Sequence, residues 1–155
     1  MERLNFRWKL VTRLTIWATN LSNIILRDRN WSFQLNDFMK MPINSLGRNL
    51  YDYLIKTDLS YKPNLIRHDM KHILLNYEMK MPDELKIHAF LIGNKTYNFM
   101  GIIYLIISTC IVPEIIPTLI QAYKRGKKAV RLKNIDIQDY VTKDIEWTRQ
   151  VLNII

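Results

Sequence analysis

His68, Asp69 and His72 fall within one stretch of five residues, and eleven residues separate His72 from Glu84. On a helix each residue advances about 100°, so the two histidines lie about 40° apart, with Asp69 about 100° from His68 on the same half of the helix. Imidazole and carboxylate are the ordinary ligands of zinc, iron and manganese, and a further donor from the next element closes such a shell. Glu84 is placed to be that donor, beyond a turn at Asn76. The same residue types also suit a charged helix surface, with Asp69 paired to Lys71 or Arg67, so spacing alone leaves a metal site and a solvated face both open. His88, one turn beyond Glu84, reads as a surface group, a neighbour of the site or a further ligand.

The elements that must position these residues read as helices throughout. In "NFRWKLVTRLTIWATNLSNIIL" Leu10, Leu14, Trp17, Leu21 and Ile24 recur at spacings of four and three, the pattern of an amphipathic helix. Its basic residues Arg3, Arg7, Lys9 and Arg13 suit an anionic membrane surface, a transit peptide or the solvated edge of a core helix. Pro42 and the Asn44–Ser45 pair precede Leu46, Leu50 and Leu54, which predicts a capped helix running to about Thr57. Pro63 opens the histidine helix near Asn64, Asn76 suits a left-handed C-terminal turn, and Pro82 with Asp83 and Glu84 suits the first turn of the next helix. The stretch after Ile137 predicts a last amphipathic helix, with Ile137, Val141, Ile145, Trp147 and Leu152 inward.

Between Thr96 and Pro113 no residue is charged, and 11 of the 14 residues from Phe99 to Val112 are hydrophobic. Gly101, Ser108, Thr109 and Pro113 weaken a bilayer crossing, so the expectation is a core helix, with Cys110 as a small buried hydrophobe. Alternatively, Phe99, Ile103, Ile106 and Ile107 line a slot for a long apolar ligand. Lys124, Arg125, Lys127 and Lys128 follow around Gly126, either as solvated surface or as a seat for a phosphate or anionic lipid headgroup.

Composition bounds the rest. The 155 residues make one domain, with an N-terminal helical region over 1–40 and a core over 41–155, and there is no internal repeat. Four Gly and five Pro are too few for a turn-dense all-β chain, so the expected class is all-α, a single compact multi-helix domain with an apolar lipid-binding slot. One cysteine forms no internal disulfide and suits a reducing compartment. A formal charge of +9 favours partners carrying phosphate or anionic headgroups. No zinc-finger spacing, basic zipper or aromatic RNA-binding signature is present, so no nucleic-acid partner is expected. The many apolar helices suit a homodimer that covers a leftover apolar face.

The spacing His-Asp-x-x-His, eleven residues, Glu resembles the signature of the coenzyme Q biosynthesis protein 4 family. Upstream, Pro42, Ser45, Leu46, Gly47 and Arg48 resemble that family's Pro-x-x-Ser-Leu-Gly-Arg segment, and "IQAYKRGKKAV" and "TRQVLNI" resemble its C-terminal segments, so the likeness runs from about residue 40 to the end. The family usually has Gly where this chain has Asn76. The resemblance implies an all-helical quinone-pathway protein holding one divalent metal ion (iron, zinc, manganese or magnesium) at His68, Asp69, His72 and Glu84. It also implies a prenylated aromatic quinone precursor as ligand, a membrane surface and other quinone-pathway enzymes as partners, and replacement of the ring carboxyl by hydroxyl. The implied location is cytoplasmic and peripheral to the inner membrane in a bacterium, or the matrix side of the mitochondrial inner membrane in a eukaryote.

Two alternatives stand beside an oxidative decarboxylase: a non-catalytic prenyl-lipid-binding scaffold for quinone-pathway enzymes, and a metal-dependent hydrolase. For the latter, Asp69 is a methylene shorter than the general base of the zinc peptidase pattern His-Glu-x-x-His. A His-Asp phosphohydrolase would want a histidine before His68, and none occurs.

Overall fold

Each helix of the core starts or stops where a side chain or a permissive residue satisfies its free backbone groups. The computed structural model describes residues 6–16 and 31–154. Helix α1 covers residues 6–16, α2 Leu35–Met39, α3 Leu46–Thr57, α4 Ile66–Leu75, α5 Asp83–Gly93, α6 Phe99–Ile111, α7 Ile116–Lys128 and α8 Ile145–Val151. Among the described residues there is no strand, and the helices pack into one all-α domain.

The Ser45 hydroxyl accepts the Arg48 N–H at 3.2 Å to start α3, and Asp58 ends it in the left-handed region. Leu46, Leu50 and Leu54 are buried on one stripe of that helix, each worth about 1.5–3 kcal/mol relative to exposure. The histidine helix α4 enters through a short 3-10 turn at Pro63–Leu65 and ends at Asn76, whose φ of 57° is the left-handed conformation expected of it.

Two contacts fix α4 and α5 in place. Helices α5 and α7 cross with their backbones touching at Gly93 and Gly126, where an added methyl at either residue would fall on a carbonyl of the facing helix. Beside that crossing the buried Asn94 side chain donates to the Val130 carbonyl at 2.9 Å and accepts from the Leu132 N–H at 2.8 Å. The C-terminal end of α4 is gripped by two arginines: Arg149 donates to the Ile73 and Leu74 carbonyls at 2.8 and 3.0 Å, and Arg125 to the Leu75 carbonyl at 2.7 Å. These are carbonyls that a helix end leaves without intrahelical partners, and the guanidinium charges sit at the negative end of the helix dipole.

Several expectations are corrected here. Arg125, read either as solvated surface or as part of a seat for a phosphate or anionic headgroup, is neither free nor fully exposed: its guanidinium is taken by the carbonyls of Leu75 and Ile154 and lies over the Tyr77 ring, while Lys124, Lys127 and Lys128 are exposed. On α1 the buried residue is Val11, with Trp8 and Leu14 against the core and Leu10 40% exposed. Trp17, Leu21 and Ile24 lie outside the described residues. The last helix is shorter than its apolar pattern, because the Asp144 side chain caps it at the Trp147 N–H. Ile137, Val141, Ile145 and Leu152 are buried but Trp147 is exposed.

The largest correction concerns α6. It buries Gly101, Tyr104 and Ser108, a stripe of small and polar residues at helical spacing, with Leu105 and Ile111 partly buried beside it, and turns several of its apolar residues outward. Phe99, Met100, Ile106 and Ile107 are exposed, Ile103 is half-buried and Cys110 is exposed rather than buried. Helix α7 continues the pattern with Ile116, Ile120 and Tyr123 exposed. The expected core helix is therefore buried on one narrow side, and the expected slot residues lie on an outer face. No single helix among the described residues is long and apolar enough to cross a membrane, although α6 and α7, bent by 109° at their junction, pass that test together by length and composition.

Candidate metal centre

The one-turn spacing of His68 and His72 sets their rings edge to face, with centroids 4.8 Å apart. Their Nε2 atoms are 3.1 Å apart. Glu84, in the first turn of α5, reaches across so that Oε2 lies 3.2 Å from His68 Nε2 and Oε1 3.0 Å from His72 Nε2. Three side chains from two helices thus each offer one donor atom, and the three atoms lie within 4.8 Å of one another.

The donor set fits a divalent ion. Metal–nitrogen and metal–oxygen bonds are about 2.0–2.2 Å, and the three side chains approach one another at 3.0–3.2 Å, Glu84 through a different oxygen to each histidine, close enough together to surround one ion. His72 is fully buried, its Nδ1 has no hydrogen-bond partner, and Nε2 is the ring nitrogen that faces His68 and Glu84. His68 is about one-third exposed and Glu84 17% exposed, so the centre is sealed at His72 and open at His68. Three protein donors with an open side is the arrangement of metal sites that bind a substrate or water as well.

The electrostatics of Glu84 agree with a cation-binding role. Burial pushes its carboxyl upward, but hydrogen bonds with His68 and His72 outweigh burial and hold it well below the usual carboxylate range. Asp69, expected as a fourth ligand, is not among the three groups whose donors converge. It sits half-buried beside them, its carboxyl pushed up to about 6 by burial against the opposing pull of His68 and His72. The structure thus brings together His68, His72 and Glu84 and leaves Asp69 as a neighbouring charge.

His88 is not a member of the cluster either. Its ring meets Tyr104 edge-on at 5.0 Å, and burial, followed by the charge of His68, lowers it to about 4. Gly101 is what allows α6 this close, since a methyl there would meet the His88 ring at 2.7 Å. The Tyr104 hydroxyl lies 2.7 Å from Thr15 Oγ1, and burial raises it to about 12. Sequence reasoning missed Thr15 and Tyr104. The signal for Tyr104 was its place three residues after Gly101 and four before Ser108, a stripe hidden within a uniformly apolar helix.

No protein-family model matches the chain, and no curated protein matches it. The site is therefore read from its own geometry.

Proposed function

We propose that this protein binds a divalent metal ion at His68, His72 and Glu84 and acts on a prenylated hydroxybenzoate, exchanging the ring carboxyl for hydroxyl in a quinone pathway. The observation that carries this reading is the convergence of three metal-type donors on a site open on one side. The motif resemblance adds the substrate class. A bound ion would supply a Lewis-acidic centre for the oxygen atoms of the aromatic head. His72 and Glu84 anchor the inner side of the site, His68 borders the mouth by which the ring enters, and the buried His88 ring against Tyr104 is a neighbour without charge near neutral pH.

The reaction must balance: one aromatic carboxylic acid, one dioxygen and one water give a phenol, carbon dioxide and hydrogen peroxide, the two electrons lost by the ring fragment being taken up by dioxygen, which is the oxidant that this proposal requires. Metal-loaded protein incubated in air with a prenylated 4-hydroxybenzoate is expected to release carbon dioxide and form the hydroquinone, both measurable by mass spectrometry. His72→Ala is expected to lower the rate at least about 100-fold, as removal of a metal ligand should. Turnover unchanged in a folded His72→Ala protein would defeat the proposal.

The outer face of α6 and α7 favours a location and, with it, a second reading as a lipid-binding scaffold for other quinone-pathway enzymes. On α7 the exposed Ile116, Ile120 and Tyr123 lie on one face that continues into Lys124 and Lys127. An apolar stripe running into lysines suits an anionic membrane surface, with side chains in the acyl boundary and ammonium groups at the headgroups. Replacing Ile106, Ile107 and Ile120 by Ser is expected to cut sedimentation with phosphatidylglycerol vesicles by about tenfold. Equal sedimentation of the folded triple variant would rule this face out as the contact.

A further inference from the structure

Glu84, the anionic donor of the centre, stands on a helix start that has no side-chain cap of its own. Helices α3, α6 and α8 each open with a side chain that accepts a first-turn N–H, from Ser45, Asn98 and Asp144. At the start of α5 the same position is Pro82, which makes no such bond. The turn is closed instead by the Lys80 carbonyl, which accepts the Asp83 and Glu84 N–H groups at 2.9 and 3.3 Å. That closure shapes the turn but does not set its distance from the histidines of α4.

A side chain of α6 braces it. The Tyr104 ring meets the His88 ring edge-on at 5.0 Å, and its hydroxyl oxygen lies 3.6 Å from Met81 Sδ. Met81 stands three residues before Glu84 and His88 four residues after it, so one tyrosine supports α5 on both sides of the carboxylate. Tyr104 is itself fixed. It is buried, and its hydroxyl lies 2.7 Å from Thr15 Oγ1 on α1. The Thr15 hydroxyl donates its one proton to the Val11 carbonyl at 2.9 Å, which leaves its lone pairs to accept the phenol O–H. Helix α1 is held in turn by Arg7, which donates to the Ile111 carbonyl at 2.5 Å and to Glu114 at 2.9 Å.

We propose that Tyr104, held by Thr15, is a positioning residue of the metal centre and sets where Glu84 stands opposite His68 and His72. This assignment rests on the proposed metal reading for what the donors hold, and it deepens that reading by naming the group that keeps them in register. A site works only when its groups stay within about 0.5 Å of their productive places. A slight loosening of the first turn of α5 therefore reaches the ion before it reaches the stability of the fold.

The test compares the full chain with Tyr104→Phe, Thr15→Val, the two combined, and Gly47→Ala, which disturbs packing around Met41, Val141 and Phe38 instead. Two readings are taken: the His68 and His72 ring signals of metal-free protein by NMR, and cobalt(II) affinity followed by visible absorption. Among the described residues neither histidine makes a hydrogen bond or ring contact with Tyr104 or Thr15, so a change at their rings must be transmitted. Phe keeps the ring against His88 and Val keeps the shape of Thr, which leaves the fold intact. Each single variant is expected to shift the ring signals and to bind cobalt(II) about tenfold more weakly, with an altered absorption band. The double variant is expected to be no worse than the weaker single, because both changes remove the same hydrogen bond. Gly47→Ala is expected to lower the urea midpoint and to leave both readings at parent values.

For a parent that binds cobalt(II), either reading unchanged in Tyr104→Phe, equal changes in Gly47→Ala, or simple addition of the two single effects would each overturn the proposal. A parent that binds no cobalt(II) would bring down the metal reading alone. The ring signals would then decide the positioning role, which stands if Tyr104→Phe shifts them and Gly47→Ala does not, and falls otherwise.

Discussion

Glu84→Gln protein is expected to fold and to lose at least about 100-fold in divalent-metal affinity, some 2.7 kcal/mol, when titrated with zinc or manganese under calorimetry. The carboxylate gives the cluster its only anionic donor, with one oxygen against each histidine at 3.2 and 3.0 Å. An amide keeps the shape, but it substitutes a neutral dipole for the charge and turns an NH2 toward one of the imidazoles. Asp69→Asn is the informative partner. Because Asp69 stands outside the converging donors, its loss should weaken the ion only through longer-range charge, by about tenfold or less. Equal losses in the two variants would make Asp69 a fourth ligand after all, and no loss in Glu84→Gln would remove the metal centre from consideration.

Gly126→Ala is expected to destabilise the fold by about 3 kcal/mol or more, seen as a lower urea midpoint with an unchanged slope. The added methyl falls on the Phe90 carbonyl, and backbone on both sides of the contact leaves nothing that can rotate aside. Helix α5 would have to move off α7, carrying Glu84 with it, so metal affinity should fall in the same variant. Gly47→Ala provides the contrast. Its methyl meets Met41, Val141 and Phe38 side chains rather than backbone, and the thioether of Met41 can swing away, so a loss nearer 1 kcal/mol is expected. Similar losses in both variants would show that the α5–α7 crossing is looser than its geometry implies.

What the sequence made legible was local. The hydroxyl at Ser45, the left-handed turn at Asn76 and the acidic first turn at Asp83 and Glu84 act over a few residues, and each appears where its chemistry predicts. The facing of His68, His72 and Glu84 was legible for the same reason, since two of the three share a helix and the third follows after a short turn. Partner-dependent properties were hidden. Whether Cys110 is covered depends on which side of α6 finds Tyr104's neighbours, and an apolar helix advertises every side equally. Likewise, the run around Gly126 reads as one basic surface until the carbonyls of Leu75 and Ile154 claim Arg125. Asp69 satisfied the spacing of a ligand, but periodicity gives a direction around the helix and not the reach of a short side chain.

The arginine grip on α4 also bears on when the centre is completed during synthesis. All three candidate metal donors have been translated by residue 84, yet the carbonyls that end the helix of His68 and His72 wait for Arg125 and then Arg149, 50 to 76 positions farther along the chain than the residues they hold. A nascent chain stalled after α5 would contain every ligand and lack the clasp that steadies two of them. Contacts of such separation form late, so the ion is expected to be captured with full affinity only once the C-terminal segment has left the ribosome.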